Sequence, residues 1–340
     1  MAVRIGLVGL GAMGGSHLAA FREMPDVEVA AVCDVDPGRL TDGRAVEANI
    51  DAGAGETARI SDLQTYEDFS RMLRRADIDA VDICTPTYLH ARMAVRALKR
   101  GRHVFCEKPL ALKASDARKA VREAQAAGRL LMVGHVLRFW PEYLMLKEML
   151  DSGRYGRLRG AKFWRWGGVP GWGSRGWFQQ TRLSGNAAMD LHVHDTDTVL
   201  WLFGVPLKVR SRGTVTPDGG VDYIWTHYEY DSDAVIVSEG GWLPGKVPFA
   251  MGATLVLERA CVDYHMLREP TVSVYPAGGP AEHPPVPAGR GYADELRYFI
   301  ECVRDGRPPD RAPAREAALA VAVAEAEVRS VKTGRASPVP

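Results

Sequence analysis

Val3-Arg4-Ile5-Gly6-Leu7-Val8-Gly9-Leu10-Gly11-Ala12-Met13-Gly14 decides the reading of this chain. Val3 to Val8 is a short run rich in β-branched residues, and the apolar positions at His17, Leu18, Ala20 and Phe21 then repeat with a helical period. The segment therefore reads strand, tight turn, helix, with G-x-G-x-x-G in the turn. Gly9 permits the tight turn, Gly11 lets a pyrophosphate approach the backbone, and Gly14 lets helix and strand pack closely. Ala12 and Met13 fall in the first helical turn, where free N–H groups and the positive end of the helix dipole face the phosphates. The run is too short, and lacks the small-residue cleavage site, to be a signal peptide.

Working outward, Val27 to Cys33, Ala80 to Cys84, His103 to Cys106 and Leu130 to Val133 read as further buried strands. Helical stretches such as His90 to Arg100 and Ser115 to Ala127 separate several of them. This alternation predicts a doubly wound parallel sheet covered on both faces. Asp34 ends the second strand, twenty residues past Gly14, where a carboxylate accepts hydrogen bonds from the adenosine ribose. A 2′-phosphate there would meet like charge at a cost of about 4 kcal/mol. NAD is expected rather than NADP, although Arg39 is within reach of a 2′-phosphate.

The ends of later parallel strands should line the cofactor crevice. They carry Thr85-Pro86-Thr87, with His90 opening the next helix, and Glu107-Lys108-Pro109. Burial of the preceding strand would lower the Lys108 pKa toward the range useful for proton transfer, and the competing reading pairs Lys108 with Glu107 or solvent.

The pattern changes near Pro141. A helix to about Leu150 is followed by strand signals from Lys162 to Tyr275, with helical blocks at Ala187 to Phe203, Tyr292 to Arg304 and Ala314 to Val331. The expected fold is thus an α/β Rossmann domain over residues 1–136, followed by an α+β domain over residues 137–340 built on an open, mostly antiparallel sheet. Packing of the C-terminal helix back on the first domain is the variant left open. In Asp190-Leu191-His192-Val193-His194-Asp195-Thr196-Asp197, a continuous helix would put Asp190, His194 and Asp197 on one face. A carboxylate beside an imidazole suits acid/base chemistry. Zinc is the rival, but His192 and His194 converge only in an extended segment, so no metal is expected. Trp164, Trp166, Trp172 and Trp177 suit sugar faces, or equally a core or an oligomer surface.

Across these positions the chain resembles the Gfo/Idh/MocA family, the glucose-fructose oxidoreductase and inositol dehydrogenase type. The likeness is carried by Gly9 to Gly14, Cys33-Asp34, Thr85-Pro86, Glu107-Lys108-Pro109, and Gly185 through Asp190 and His194 to Trp201-Leu202-Phe203-Gly204. It implies Lys108, Asp190 and His194 as catalytic residues, and a homodimer or homotetramer formed through the open sheet. His135 and Arg138 lie in a segment similar to the family's substrate side. His192 stands where the family often has glycine, and either enters the pocket or faces the core.

The bulk numbers set limits. The 340 residues, 46% of them hydrophobic, can bury a full core. Lysine and arginine (43) balance aspartate and glutamate (42), which argues against nucleic acid and anionic membranes as partners. The five scattered cysteines form no CxxC pair and read as reduced cytosolic thiols. No run reaches the roughly 18 apolar residues of a membrane span, so a cytoplasmic protein is expected. The expected function is NAD-dependent hydride exchange at a secondary alcohol or ketone of a sugar, inositol or derivative. A redox-neutral lyase or glycosidase that uses NAD, a dinucleotide sensor and a metal-dependent hydrolase are the alternatives.

Overall fold

The computed structural model of the chain describes residues 2–42, 59–171 and 173–339, except for the side chains of Ser174 and Arg175. Two compact units form: Met1–Val136 with Tyr292–Ala318, and Leu137–Gly291 with Leu319–Pro340.

The first unit is built on strands β1 (Val3–Val8), β2 (Val27–Cys33), β3 (Gln64–Tyr66), β4 (Ala80–Ile83), β5 (His103–Cys106) and β6 (Leu131–Val133). All pair in parallel, in the order β3-β2-β1-β4-β5-β6. The order reverses between β1 and β4, the switch point at which doubly wound sheets bind ligands. Helices α1 (Ala12–Arg22), α2 (Phe69–Arg75), α3 (His90–Leu98) and α4 (Ala114–Ala127) lie between β1 and β2, β3 and β4, β4 and β5, and β5 and β6. Leu7, Leu10, Leu18 and Val32 form one core cluster beside the glycine turn.

The second unit begins with α5 (Pro141–Asp151), β7 (Leu158–Gly168), α6 (Thr181–Ser184), α7 (Asn186–Asp190) and α8 (Val193–Phe203). Strands β8 (Lys208–Val215), β9 (Val221–Glu229), β10 (Val235–Leu243), β11 (Ala250–Leu257), β12 (Ala260–His265) and β13 (Val272–Pro276) follow. Helices α9 (Gly291–Asp305) and α10 (Ala314–Thr333) and the short β14 (Ser337–Pro338) close the chain. The sheet order is β13-β12-β11-β7-β10-β9-β8-β14, with only the β7–β10 pair parallel. Its inner face carries Phe163, Ile224, Tyr228, Ile236 and Leu255, all buried, and α7 packs on β9 and β10. Its outer face exposes Trp225, Val235, Val256 and Tyr275.

Two expectations are revised and one strand is added. The segment Tyr292–Ala318 belongs to the first unit: Phe299 of α9 meets Phe105 edge-on, and Pro313 bridges to Met132. The strand β3 was not anticipated, because it is three residues long and polar, and β2 recruits it at the sheet edge. The helix expected from Ala187 to Phe203 breaks at Leu191–His192. There the N–H groups of both Leu191 and His192 turn to the Ala187 carbonyl, at 2.9 and 2.8 Å, and the helical register slips. His192 is the cause on the packing side. Its ring is fully buried, bonds Ser238 at 3.2 Å, and lies where a Cβ on Gly240 would stand 2.8 Å from Nδ1. His192 therefore faces the core.

Candidate functional site

In the first unit the glycine turn has the geometry its residue types demand. Gly9 adopts φ +89°, and a Cβ there would meet the Cys84 carbonyl oxygen at 2.5 Å. A Cβ on Gly14 would lie 1.9 Å from the Gly9 carbonyl oxygen, so helix and turn approach as closely as glycine allows. Gly11 is the N-cap of α1 and no side chain caps that end, so the first-turn N–H groups of Ala12, Met13 and Gly14 have no intrahelical acceptor. This cradle fits a pyrophosphate.

Asp34 sits at the end of β2, nearly buried, and its two oxygens accept the N–H groups of Leu10 at 2.8 Å and Asp36 at 2.9 Å. It thereby ties the glycine turn to β2 while its remaining lone pairs stay available to ribose hydroxyls. Arg39 Nη1 stands 3.7 Å from Asp34, next to Gly11. The arginine is thus ion-paired at the place where a 2′-phosphate would have to compete for it.

Thr85 and Pro86 follow β4, and Glu107 and Lys108 follow β5. His90 was expected to touch the cofactor, yet its ring is buried and works between these two loops. Nδ1 lies 2.8 Å from the Pro109 carbonyl and Nε2 lies 2.5 Å from the Thr85 carbonyl. Burial pulls its pKa down, against two carbonyls that favour the protonated ring. Lys108 is half-buried, its peptide bond to Pro109 is cis, and its backbone N–H donates to Glu107 Oε2 at 3.1 Å.

Behind Glu107 lies a cluster that motif reading does not supply. His17, on the buried side of α1, places Nδ1 2.8 Å from Asp82 Oδ2 and Nε2 3.3 Å from Glu107 Oε1. Cys84 Sγ is 3.2 Å from the same Nδ1. Glu295 on α9 joins from the far end of the sequence, with ligand-type atoms of His17, Glu107 and Glu295 all within 4.8 Å of one another. The signal was present in part: a histidine on the apolar face of α1 is a titratable group aimed at the core.

In the second unit, every residue from Asn186 to Leu200 is buried except Asp190 and His194, which are half-buried. They flank the helix break, so their expected placement on one continuous helix face does not hold. Asp197 and Arg138 were expected near chemistry and substrate. They form instead a buried two-pronged ion pair, with Nε–Oδ2 and Nη2–Oδ1 both 2.8 Å. Arg165 and Asp195 form a second, at 3.0 and 3.3 Å. Trp166 lies on the outer face of the sheet, its ring 4.3 Å from Trp164, opposite to the face through which Arg165 reaches α8. It therefore cannot line a pocket beside His194. His135 is buried just after β6. Trp172 lies outside the described residues.

Comparison with known proteins agrees with this cradle. The model of the GFO/IDH/MocA oxidoreductase family, NAD-binding Rossmann fold, matches residues 3–135, and that of the GFO/IDH/MocA C-terminal domain matches residues 143–246. The chain belongs to this family. It is an oxidoreductase with an NAD-binding first domain. Inositol 2-dehydrogenase of Rhizobium meliloti is 29% identical over 98% of both chains. The NAD-dependent scyllo-inositol 2-dehydrogenase of Bacillus subtilis is 28% identical over 90% of this chain and 88% of its own. The solved structure of levoglucosan dehydrogenase with NADH and levoglucosan shares the fold, with a TM-score of 0.83 over the whole of both chains at 20% identity. Among the described residues, no helix is long and apolar enough to cross a membrane.

Proposed function

We propose that this protein is an NAD-dependent dehydrogenase that exchanges hydride with a secondary alcohol carbon of an inositol, sugar or related polyol. The observation that carries the reading is the selective emergence of Asp190 and His194 from an otherwise buried segment, taken with a half-buried Lys108 held by its backbone at the end of β5. A dinucleotide sensor has no use for these three groups. The inositol dehydrogenases that match over nearly the full length favour a cyclic polyol.

Bound NAD supplies the hydride acceptor at the nicotinamide ring. The glycine turn and the α1 N-terminus hold its pyrophosphate, and Asp34 binds the ribose hydroxyls. The alcohol carbon loses its hydride while the hydroxyl loses its proton, and Lys108 and His194 divide the second task. One accepts the proton and the other polarises the oxygen, with Asp190 orienting the imidazole. We further propose that copies of the chain assemble through the outer sheet face, in a homodimer or homotetramer, and that the protein works in the cytoplasm.

The test is NADH absorbance across inositols, aldoses, sugar acids and glycosides, with NAD and with NADP. One panel member should reduce NAD. Lys108→Ala and His194→Ala should each lower kcat/KM on it by about 10²- to 10⁴-fold while NAD binding persists. Turnover near wild type in either variant would remove that residue from the mechanism.

A further inference from the structure

His17 is buried between two carboxylates, with Asp82 hydrogen-bonded to Nδ1 and Glu107 at ion-pair distance from Nε2, 3.3 Å. Glu107 in turn accepts the backbone N–H of Lys108. A continuous line of contacts therefore runs from the centre of the parallel sheet to the residue assigned to proton transfer. We propose that His17 is a positioning residue for Lys108: standing between Asp82 and Glu107 it keeps Glu107 in place to grip the Lys108 backbone, with Glu295 closing the cluster. The proposal rests on the dehydrogenase reading for its kinetic part alone.

The charges in the cluster support the geometry. Burial by itself would strip His17 of its proton, but the Asp82 carboxylate hydrogen-bonded to Nδ1 holds its pKa well above the ordinary value. Burial likewise opposes ionisation of Glu107, and the His17 imidazolium, with Lys108 beyond it, reverses that and keeps the carboxylate charged. Glu295 makes no ion pair among the described residues. Both of its oxygens are buried without a hydrogen-bond partner among the described residues. Burial and the neighbouring Glu107 charge raise its pKa well above the usual range, against the pull of His17. The titratable groups facing His17 and Glu107 are thus Asp82 and Cys84 from β4 and its end, Cys106 from β5, Lys108, His90 from α3 and Glu295 from α9. The cysteines are pushed up by burial and stay thiols. One imidazolium is then shared by two carboxylates. Without it, Asp82 and Glu107 would repel across a dry interior, and Glu107 would take up a proton at a higher pH. A neutral carboxyl grips an N–H less firmly than a carboxylate.

Two kinds of measurement decide the matter. On wild-type protein without substrate, nitrogen NMR of the histidines should show His17 doubly protonated at neutral pH. Infrared spectroscopy should show a protonated-carboxyl band that Glu295→Gln removes. A neutral His17, or no such band, would overturn the proposal whether or not any substrate has been found. In turnover, His17→Gln should lower kcat about tenfold, a rise of about 1.4 kcal/mol in the barrier, with KM for NAD unchanged. It should also move the acid limb of the kcat profile to higher pH, a change that loosened packing would not cause. Glu107→Gln added to His17→Gln should cost little more, because the two act on one contact. Multiplying effects, or a wild-type profile in a folded His17→Gln protein, would refute it. A wild type silent on every substrate would count against the proposed function only, leaving the spectra to decide this inference.

Discussion

The arginine pairs of α8 and the histidine cluster of the first unit bury charge in opposite ways. In the second unit the two buried acids of α8 each have their own cation in two-pronged register, Asp197 facing Arg138 and Asp195 facing Arg165, while the buried Glu327 of α10 is held by the Thr196 hydroxyl beside His192. Arginine keeps its proton at any working pH, so these pairs are permanent. Burial works against the charge on Arg165, and Asp195 more than restores it. The first unit buries Asp82, Glu107 and Glu295 around one histidine, a group whose proton can leave. The arginine pairs clamp α8 to the segment before α5 and to the sheet, whereas the histidine cluster stays sensitive to pH. The labile cluster adjoins Lys108, and the permanent pairs share α8 with His194 without using it.

The largest way to break this comparison is to remove one member of a permanent pair. Arg138→Ala leaves Asp197 buried without its cation and should cost about 3–5 kcal/mol of stability. Replacing both, as Arg138→Met with Asp197→Leu, should recover most of that loss. Chemical denaturation at neutral pH measures both variants, and equal losses would mean that the pair's packing rather than its charge matters.

The labile cluster predicts a different signature. Glu295 keeps its proton when folded and, in the unfolded chain, titrates near the ordinary value of 4.5. Above that pH the unfolded state binds fewer protons, so folding stability falls as pH rises, by up to about 1.4 kcal/mol per pH unit until the folded group also ionises. His17 has the same sign from its ordinary value of 6.5 upward. Glu295→Gln removes the first contribution, so it should be more stable than wild type at pH 8 and nearly equal at pH 4. Melting temperatures across that range check it, and parallel curves would show that Glu295 is ionised in the fold.

Much of the architecture was legible because it is written locally. The run Val3 to Val8 with its glycines announces strand, turn and helix at one reading, and the β-rich runs of the second half are bounded by their own turn residues. The misses are all non-local. The strand β3 owes its existence to β2 rather than to Gln64-Thr65-Tyr66. The break at Leu191 comes from His192 seeking Ser238, forty-six positions away. Trp166 alternates to the outer face because its neighbour Arg165 is claimed by Asp195, a choice that the tryptophan itself does not show. His17 and Glu295 meet only because α9 returns to the first unit, and no spacing rule links positions so far apart. The cofactor cradle is a short-range motif and was readable, while the support beneath Lys108 is a product of topology.

The smallest expected effect on the protomer extends the comparison to a face with no buried charge. Val256 is 45% exposed on the outer side of β11, and Lys162 lies opposite Thr254 on the same face. In a lone protomer Val256→Glu keeps its charge in water beside a lysine, and the stability of the dilute protein should change by less than about 0.5 kcal/mol. Where a second copy covers that face, the same carboxylate is sealed in without a matched cation, which is the situation of Glu295 without its means of staying neutral at a surface. The variant should then fall to a smaller species in light scattering at concentrations where wild type is assembled. Unchanged assembly would move the interface elsewhere and leave the outer face as plain solvent-exposed sheet.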